Sequence, residues 1–280
     1  DQGGTVSGRL SYSNPNLQQI PARNKEFGDK IRSLFLPEEG RQWGSFDYSQ
    51  QEPRLVAHYA ASTNDNFSGA DEFIEAYKNE AADFHQIVAD MAGISRTHAK
   101  TINLGLFYGM GKAKLATELG ISKDNAENLL QKYHSRVPFV KRLAESVTGS
   151  ASKYGFIRTV MGRKCRFDMW EPNSFGMNKA MDYEAAKAHY GNNIRRAFTY
   201  KALNRLIQGS AADQTKQAMI ECYKQGFKPI LQIHDELCFS INNENDIKGV
   251  KEVMENAIEN LKVPFKVDVA LGRSWGEAKE

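Results

Sequence analysis

The clearest pattern of apolar and polar positions lies near the C-terminus, in the segment KPILQIHDELCFSI at residues 228–241. Apolar and polar side chains alternate along it with a period of two, which predicts a half-buried β-hairpin. The apolar positions of this alternation are Leu231, Ile233, Leu237, Phe239 and Ile241. The pattern then changes to that of a helix over residues 245–262, and a closing strand is predicted over 264–270.

The rest of the chain is irregular at its start and mostly helical in its middle. Residues 1–25 contain five glycine or proline residues, which interrupt any long element. A strand is predicted over 41–48 and a helix over 52–61. The segment from about 70 to 215 has a helical period, with breaks near Gly93, Gly120, residues 155–162 and Pro172. Strands at both ends of a helical segment predict a sheet domain that is split in sequence.

Length and composition bound the class of protein. A chain of 280 residues with 41% hydrophobic and 25% charged residues is typical of a globular protein with a sizeable core. No apolar run approaches the roughly 20 residues of a membrane span, and no secretion signal is recognisable. The three cysteines, Cys165, Cys222 and Cys238, are scattered and odd in number, which favours free thiols that serve packing in a reducing compartment. We therefore expect a cytoplasmic protein without a membrane partner.

The net charge of +3 conceals an uneven distribution of charge. Between Lys132 and Arg205 the chain carries fifteen Lys or Arg and five Asp or Glu residues. Clustered positive charge suits a polyanion whose phosphates release counterions on binding, which points to a nucleic acid. A set of solvated helix faces explains a single charge run equally well.

Acidic residues stand where the edge of a sheet would expose them. Asp47, in SFDYSQQE, ends the first predicted strand, and Asp235 and Glu236, in QIHDELCF, lie at the tip of the predicted hairpin. Carboxylates at one edge of a sheet can hold two Mg²⁺ ions about 4 Å apart, which stabilises an in-line displacement at phosphorus. We expect the Asp47 and Asp235 carboxylates to lie within about 6 Å of each other. Taken singly, Asp47 also suits a helix N-cap, and Asp235 and Glu236 suit an ordinary turn.

The segment RTHAKTINLGLFYG, residues 96–109, carries two cations, an apolar residue and a tyrosine at every fourth position. Four residues advance an α-helix by about 400°, so these four side chains share one slowly drifting face. They are Arg96, Lys100, Leu104 and Tyr108. The neighbouring Gly105 and Gly109 leave the backbone bare, so that a base can approach closely. The alternative is a cationic stripe in solvent with a tyrosine in the core.

Several other catalytic motifs are excluded by their spacing. The segment GMGKAK, residues 109–114, is not a phosphate-binding P-loop, because the glycine spacing is wrong and no Ser or Thr follows Lys112. The six histidines and three cysteines lack the spacing of a zinc site, and no G-x-S-x-G nucleophile elbow occurs.

Taken together and in order, DYSQQE, the helix with Arg-x3-Lys-x7-Tyr-Gly and the HDE tripeptide resemble the polymerase core of family A DNA polymerases, the DNA polymerase I group. The resemblance runs from about Thr5 to the C-terminus and points to a bacteriophage or bacterial member. It includes the segments SGRLSYSNPNLQQIP, DFHQIVADMAG, RTHAKTINLGLFYGMG, GFIRTVMGRKCRF, NRLIQGSAAD and LGRSWGEAKE.

The resemblance implies an α/β (α+β) chain with right-hand polymerase architecture. A palm subdomain built on an antiparallel sheet is expected over residues 1–51 and 206–280, with a mostly helical fingers subdomain over 52–205. The thumb and the exonuclease domain of the family are expected to be missing from this chain and to lie N-terminal to it, in the same or a separate chain.

The resemblance also implies a template-directed DNA polymerase that adds deoxynucleoside triphosphates (dNTPs) to a primer 3′ end by two-metal-ion nucleotidyl transfer. Its cofactor is a pair of Mg²⁺ ions, for which Mn²⁺ can substitute, and its partners are primer-template DNA and dNTPs. The implied catalytic residues are Asp47, Asp235 and Lys100, the last as a general acid for the pyrophosphate. The implied metal ligands are Asp47, Asp235 and the backbone carbonyl of Tyr48, with Glu236 as a further candidate.

Further site residues follow from the same resemblance. The implied nucleotide contacts are Arg96, Lys100, Leu104, Tyr108, His85, Gln50 and Glu52, of which Glu52 excludes a ribose 2′-hydroxyl. The implied DNA contacts are Arg9, Asn16, Gln18, Asn204, Gln208, His234, Arg163, Lys164 and Arg166. Leu104 departs from the family, which usually has Phe or Tyr there. Without a flat ring it should hold the nucleotide less rigidly, and without the hydroxyl of the Tyr-bearing relatives it predicts rejection of dideoxynucleotides.

Two other functions are open. A single-subunit RNA polymerase shares the carboxylate and Lys/Tyr-Gly arrangement, although Glu52 argues against it. A non-catalytic DNA-binding fragment is the second alternative, and primer extension by this chain alone would distinguish it from a polymerase.

Overall fold

A computed structural model of the chain describes residues 1–20, 25–62, 70–78, 83–107, 110–174, 176 and 179–278. The chain divides into two compact units. The sheet unit comprises Asp1–Leu55 and Ser210–Glu280, and the helical unit comprises Val56–Gly209.

The described residues form eleven α-helices and eight mostly short strands. The helices are α1 (Lys25–Arg32), α2 (Gln51–Ala61), α3 (Ala70–Lys78), α4 (Phe84–Ala92), α5 (Arg96–Phe107), α6 (Lys112–Leu119), α7 (Lys123–Arg136), α8 (Pro138–Tyr154), α9 (Tyr183–Tyr190), α10 (Ala202–Lys224) and α11 (Glu244–Glu255). The strands are β1 (Gln42–Tyr48), β2 (Phe156–Arg158), β3 (Lys164–Arg166), β4 (Trp170–Pro172), β5 (Ile194–Arg196), β6 (Pro229–Ile233), β7 (Glu236–Ile241) and β8 (Val267–Gly272). Short 3₁₀ helices span Leu17–Gln19 and Thr199–Lys201.

The sheet unit is built on a four-stranded antiparallel sheet with the order β6-β7-β1-β8. Because successive side chains of a strand point to opposite faces, the alternation in β1 and β7 gives the sheet two distinct faces. On one face Phe46 and Phe239 meet edge to face at 5.4 Å, and the buried Tyr48 donates its hydroxyl to the Met254 carbonyl of α11 at 2.6 Å. On the other face Trp43 belongs to a buried apolar cluster that includes Trp275.

The C-terminal part differs from the sequence prediction in its boundaries. The helix predicted over 245–262 ends at Glu255, and the strand predicted over 264–270 is β8, Val267–Gly272. Asn256 ends the helix by turning its own side chain back to the Glu252 carbonyl at 2.8 Å. The apolar residues after it, including the buried Val263 and Phe265, pack as irregular chain and not as a continued helical face.

The helical unit is built from helices whose ends are marked by capping residues. The side chains of Asp83 and Ser122 accept backbone N–H groups at the starts of α4 and α7. Gly93 and Gly120 end α4 and α6 in the left-handed conformation, with φ of 59° and 65°, which glycine adopts without a steric penalty. The unit also contains the two-stranded ladders β2-β3 and β4-β5, which the sequence did not predict. Strands of three residues are too short to show a period.

The mixed α/β class with an antiparallel sheet is confirmed. The three cysteines are buried free thiols, as packing residues should be. Within the part of the chain that the structure describes, no helix combines the length and the apolar character that crossing a membrane requires.

Candidate active site

Three carboxylates occupy one rung of the sheet. In the antiparallel register, Asp47 of β1 stands opposite Glu236 of β7 on one side and Asp268 of β8 on the other. Directly paired residues place their side chains on the same face of a sheet, with Cβ atoms about 4.5–5.5 Å apart. These three side chains line a cavity of about 150 Å³, together with Arg32, Ser45, Ala270, Trp275 and Ala278. The register of two ladders is therefore what collects negative charge at this edge of the sheet.

Asp235 lies beside this rung, in the two-residue turn between β6 and β7. The preceding His234 is exposed and has a φ of 55°, a left-handed conformation that costs a residue with a side chain about 1–2 kcal/mol. The Gln232 side chain donates to the His234 carbonyl at 2.6 Å, and the Tyr48 N–H donates to the Asp235 carbonyl at 3.4 Å. These two hydrogen bonds, one from a side chain and one from the backbone, fix the turn against the end of β1.

Two carboxylates of the sheet unit, Asp235 and Glu52, lie in an environment that disfavours their charge. Burial raises the pKa of Asp235 above its ordinary value, and the Glu236 carboxylate adds to this, while Arg9 and His234 offset it only in part. Burial likewise raises the pKa of Glu52, which also feels the negative charge of Asp235. Because burial and the neighbouring Glu236 carboxylate both disfavour the charge of Asp235, a cation beside Asp235 would be favoured.

Glu52 forms an ion pair with Arg9. It lies in the first turn of α2, and its Oε1 accepts a hydrogen bond from Arg9 Nη2 at 2.6 Å. The side chains are 16% and 27% exposed, so the pair is partly shielded from water. Burial raises the pKa of Glu52 by more than the Arg9 charge lowers it, so the pKa stays above its ordinary value. The pair holds the Glu52 carboxylate in one orientation.

The residues between Asp47 and Glu52 face different ways. The Tyr48 side chain is buried on the opposite face of the sheet, so any part that Tyr48 plays beside Asp47 falls to its backbone. Gln50 turns the chain into α2 with a φ of 53°. The next residue, Gln51, is buried and donates to Gln214 Oε1 at 3.1 Å, which ties α2 to α10.

In the helical unit, α5 presents Arg96 and Lys100 on an exposed face, while its Ala99, Ile102 and Asn103 are buried. The Asp83 carboxylate accepts hydrogen bonds from Arg96 Nε at 2.8 Å and Arg96 Nη2 at 2.7 Å. The Arg96 guanidinium and the N–H groups of α4 therefore hold the pKa of Asp83 below its ordinary value, although burial opposes this. The side chain of Leu104 and the whole of Tyr108 lie outside the described residues.

His85 lies in the first turn of α4 and is only 9% exposed. Its Nδ1 is 3.1 Å from Nδ2 of the buried Asn103. Burial lowers the pKa of His85, and the positive charges of Lys100 and Arg96 lower it further, while Asp83 opposes them. The helical unit therefore brings together the three polar residues that the sequence assigned to phosphate contacts.

The predicted DNA contacts of the N-terminal segment also shape that segment. The Asn16 side chain accepts the Gln18 N–H at 3.1 Å and caps a 3₁₀ helix. The Gln18 side chain donates to the Leu10 carbonyl at 3.0 Å. Arg9 and His234 line one small cleft of the sheet unit.

The remaining predicted DNA contacts lie in the helical unit. Arg163 donates to the Gly209 carbonyl at 3.0 Å, and the Lys164 ammonium lies 4.6 Å from the centre of the Phe156 ring. The exposed Arg166 contributes its carbonyl to Arg205 at 2.8 Å. In α10, Asn204 Nδ2 is buried and makes no hydrogen bond to the described part of the chain, and Gln208 is half-buried one turn later.

The donor set suits Mg²⁺ by its chemistry, because Asp47, Asp235 and Glu236 offer carboxylate oxygens. Among the described residues, however, no three or more His, Cys, Asp or Glu side chains are grouped so that they alone could enclose a metal ion. Magnesium in phosphoryl-transfer sites takes one or two carboxylates and completes its shell with water and phosphate oxygens. The residues fit such a shared site and do not fit an all-protein cage.

The sequence reasoning missed Asp268, Arg32 and Asp83. Asp268 and Arg32 line the carboxylate cavity, and Asp83 both caps α4 and pairs with Arg96. Asp268 falls in the predicted closing strand and could have been found only from its pairing register with β1. Asp83 precedes the helix residue His85 by two positions, which is the N-cap signal that the sequence does contain.

Comparisons with known proteins agree along the whole chain. The family model described as DNA polymerase family A matches residues 1–277. A DNA-directed DNA polymerase of Pseudomonas phage M6 is 38% identical, over 98% of this chain and 44% of that protein. DNA polymerase I of Lactococcus lactis subsp. cremoris is 36% identical, over 98% of this chain and 30% of that protein.

A solved structure is similar in fold as well as in sequence. It is the POL domain of Pol1 from M. smegmatis in complex with DNA primer-template and dNTP, and it is 33% identical with a TM-score of 0.79 over 99% of this chain and 47% of that chain. The chain thus spans less than half the length of these relatives. Because the family model covers nearly every residue and the fold agrees, the chain belongs to DNA polymerase family A.

Proposed function

We propose that this chain catalyses template-directed DNA synthesis, the addition of dNTPs to a primer 3′ end. The observation that carries the proposal is the carboxylate rung of the sheet unit, with Asp235 beside it in a constrained turn. Membership of family A supports the same reaction, since relatives of this chain are named DNA polymerases.

We assign the sheet unit to the palm and the helical unit to the fingers of the family. In the palm, Asp47, Asp235 and the Tyr48 carbonyl would hold two Mg²⁺ ions, with Glu236 as a further ligand, and Mn²⁺ would substitute for Mg²⁺. When bound, these ions stabilise the negative charge that develops on the oxygens of an in-line phosphoryl transfer. Burial raises the pKa of Asp235, and the neighbouring Glu236 carboxylate adds to this, so a cation bound at Asp235 would relieve an unfavourable charge.

The fingers residues bind the triphosphate. Arg96 and Lys100 are exposed cations one turn apart on α5, and phosphate oxygens can replace Asp83 as partners of Arg96. His85 adds a hydrogen bond to phosphate. Leu104 and Tyr108 of the helical unit are assigned to the sugar and base of the nucleotide, and Gln50 of the sheet unit is assigned as a further nucleotide contact.

The reaction breaks one phosphoanhydride bond and forms one phosphodiester bond. The primer 3′-hydroxyl loses its proton to solvent as its oxygen attacks the α-phosphorus of the dNTP, and the bond from that phosphorus to the β,γ-pyrophosphate breaks. Lys100 donates a proton to the departing pyrophosphate, which lowers the cost of its developing charge.

Glu52 and its partner Arg9 select the sugar. A partly buried carboxylate held by an ion pair cannot move away easily, so a ribose 2′-hydroxyl would meet it in a fixed position. This arrangement favours deoxynucleotides over ribonucleotides.

The DNA contacts are mainly to the sugar-phosphate backbone and the minor groove. Arg163, Lys164 and Arg166 belong to the basic segment and suit the template backbone. Minor-groove acceptors occur in every base pair, so polar side chains near the primer end can test pairing without reading sequence. The side chains assigned to that task are Arg9, Asn16, Gln18, Asn204, Gln208 and His234.

Primer extension by the 280-residue chain tests the proposal and separates the alternatives. A labelled primer annealed to a longer template is incubated with Mg²⁺ and either dNTPs or ribonucleotides. We expect extension with dNTPs and little with ribonucleotides. Extension with ribonucleotides would instead indicate an RNA polymerase, and DNA binding without any extension would indicate a non-catalytic binding protein.

A further inference from the structure

A chain of buried hydrogen bonds links three helices of the helical unit. The Tyr133 hydroxyl of α7 lies 2.5 Å from Asn103 Oδ1 of α5, and Asn103 Nδ2 lies 3.1 Å from His85 Nδ1 of α4. Tyr133 and Asn103 have no exposed surface, and His85 is 9% exposed. Water therefore cannot exchange with the hydrogen-bonding groups of the two inner residues, and the direction of the bonds is set within the protein.

The distances fix that direction. A separation of 2.5 Å between Tyr133 and Asn103 suits an O–H···O bond and is shorter than N–H···O bonds normally are. Burial also raises the pKa of Tyr133 far above its ordinary value, so its hydroxyl keeps the proton that it donates. Asn103 Oδ1 is thus the acceptor, and Asn103 Nδ2 faces His85 as a donor.

The hydrogen bond between Asn103 and His85 decides which nitrogen of the His85 ring carries hydrogen. An amide NH₂ only donates, so His85 Nδ1 must accept with its lone pair. In a neutral imidazole the other nitrogen, Nε2, then carries the hydrogen. We propose that Tyr133 and Asn103 are positioning residues that hold His85 in its Nε2–H form, so that the ring is a hydrogen-bond donor to a phosphate.

This form matters because phosphate oxygens of a nucleotide accept hydrogen bonds at neutral pH and do not donate them. In the opposite tautomer, Nε2 would present a lone pair to the phosphate and repel it. The phosphate part of the inference rests on the proposed nucleotide site, in which Arg96 and Lys100 lie near enough to His85 to influence its charge. The tautomer part depends only on the three linked side chains.

Nitrogen NMR of the uniformly ¹⁵N-labelled chain at neutral pH tests the tautomer without any nucleotide. The His85 signals are assigned by their loss in His85→Gln. We expect a protonated Nε2 and an unprotonated Nδ1 in the unaltered chain. A protonated Nδ1, or equal populations of both forms, would overturn the proposal.

Two variants test the role of the neighbours. Tyr133→Phe removes the hydroxyl that orients the amide and should produce a mixture of His85 tautomers. Asn103→Asp replaces the donor with a second acceptor oxygen and should move the hydrogen to Nδ1. The control is Tyr190→Phe, which removes a tyrosine hydrogen bond to the Lys179 carbonyl elsewhere in the same unit and should leave His85 unchanged. An unaltered His85 signal in both test variants would overturn the positioning role.

The phosphate role of His85 is tested by a binding measurement. The chain is first bound to primer-template DNA in the presence of Mg²⁺, and its affinity for dATP is then measured. Loss of one hydrogen bond to a charged group should weaken binding about tenfold in Asn103→Asp and in His85→Phe, which has no donor at this position, and not in Tyr190→Phe. Unchanged affinity in both test variants would overturn the phosphate role even if the tautomer is as expected. If the unaltered chain extends no primer at all, the proposed function fails, and the NMR result still decides the tautomer separately.

Discussion

The two units organise charge in opposite ways. In the sheet unit, carboxylates are brought together by strand register and partly buried, and the pKa values of Asp235 and Glu52 are raised. In the helical unit, Arg96 and Lys100 lie on an exposed helix face, and the carboxylate that meets Arg96, Asp83, has a lowered pKa. Burial therefore outweighs the nearby positive charge at Asp235 and Glu52, whereas the Arg96 guanidinium and the helix N–H groups outweigh burial at Asp83.

Under the proposed assignment of sites, this difference predicts how much free energy each unit gains when its ligand binds. A rigid, like-charged cluster gains most when cations enter it, because it gives up an existing repulsion. An exposed cation paired with a carboxylate merely exchanges partners when a phosphate arrives, so it contributes to affinity without storing strain. We therefore expect the metal-binding carboxylates of the sheet unit to govern the rate of the chemical step and Arg96 of the helical unit to govern nucleotide affinity, while Lys100, the proposed general acid, affects both.

The largest effect is expected for Asp235→Asn. The amide keeps the size of the side chain but removes a charge from the proposed metal site, so nucleotide addition should fall by about 1,000-fold or more. Single-turnover insertion on a labelled primer measures this. Glu244→Gln, which neutralises an exposed carboxylate at the start of α11, is the control and should leave the rate unchanged. Near-normal activity of Asp235→Asn would contradict the two-metal assignment.

Lys100→Ala should have the next largest effect. Removing both a phosphate contact and the proposed general acid should lower the insertion rate about 100-fold, within the range for general acid catalysis. The melting temperature should not change, because the side chain is exposed. Lys114→Ala, an exposed lysine of α6, provides the matched control. Equal rates for the two variants would remove Lys100 from the site.

A smaller effect is expected for the selection of the sugar. Glu52→Ala removes the carboxylate that would meet a ribose 2′-hydroxyl, so the preference for dNTPs over ribonucleotides, measured as a ratio of kcat/KM, should fall about 10–100-fold. Arg9→Ala frees Glu52 from its ion pair and should lower the same ratio by less. If neither variant changes the ratio, selection of the sugar lies elsewhere.

The smallest effect concerns stability, and its sign differs between the units. The folded-state pKa of Asp235 is raised, so its ionised form destabilises the fold at neutral pH, and this cost disappears as pH falls towards the ordinary carboxyl value of about 4. Asp235→Asn should therefore melt at a higher temperature than the unaltered chain in metal-free buffer at pH 7, with a smaller difference near pH 4.

Asp83→Asn gives the opposite comparison. The pKa of Asp83 is lowered, so its charge stabilises the fold above the ordinary carboxyl pKa, and that contribution is lost as pH falls through the lowered value. Asparagine still caps a helix, so the variant isolates the charge. It should melt at a lower temperature than the unaltered chain at pH 7. Melting shifts of the same sign for Asp235→Asn and Asp83→Asn would contradict the contrast between the units.

Much of this arrangement could be predicted from sequence, for reasons that differ by element. The hairpin around Asp235 was predictable because one buried face imposes a period of two. The exposed stripe of Arg96 and Lys100 was predictable because helical spacing is local. Family resemblance supplied the functional assignments that neither pattern could give.

Other features depend on pairings between distant segments, which a linear pattern does not encode. Asp268 joins Asp47 only through the register of β8, and Asn103 is recognised as a link to His85 only when α4, α5 and α7 are packed together. The early end of α11 depends on how Val263 and Phe265 are buried, since their apolar character alone would also suit a longer helix.

The division of roles between the units is tested most directly by one measurement. Rapid-quench insertion of a single dATP opposite template thymine, over a series of dATP concentrations, gives the maximal rate and the half-saturating concentration for each variant. Asp235→Asn should mainly lower the maximal rate, by about 1,000-fold, and Arg96→Ala should mainly raise the half-saturating concentration, by about tenfold. A lowered maximal rate for Arg96→Ala together with a raised half-saturating concentration alone for Asp235→Asn would contradict the assignment of chemistry to the carboxylates of the sheet unit and of affinity to Arg96.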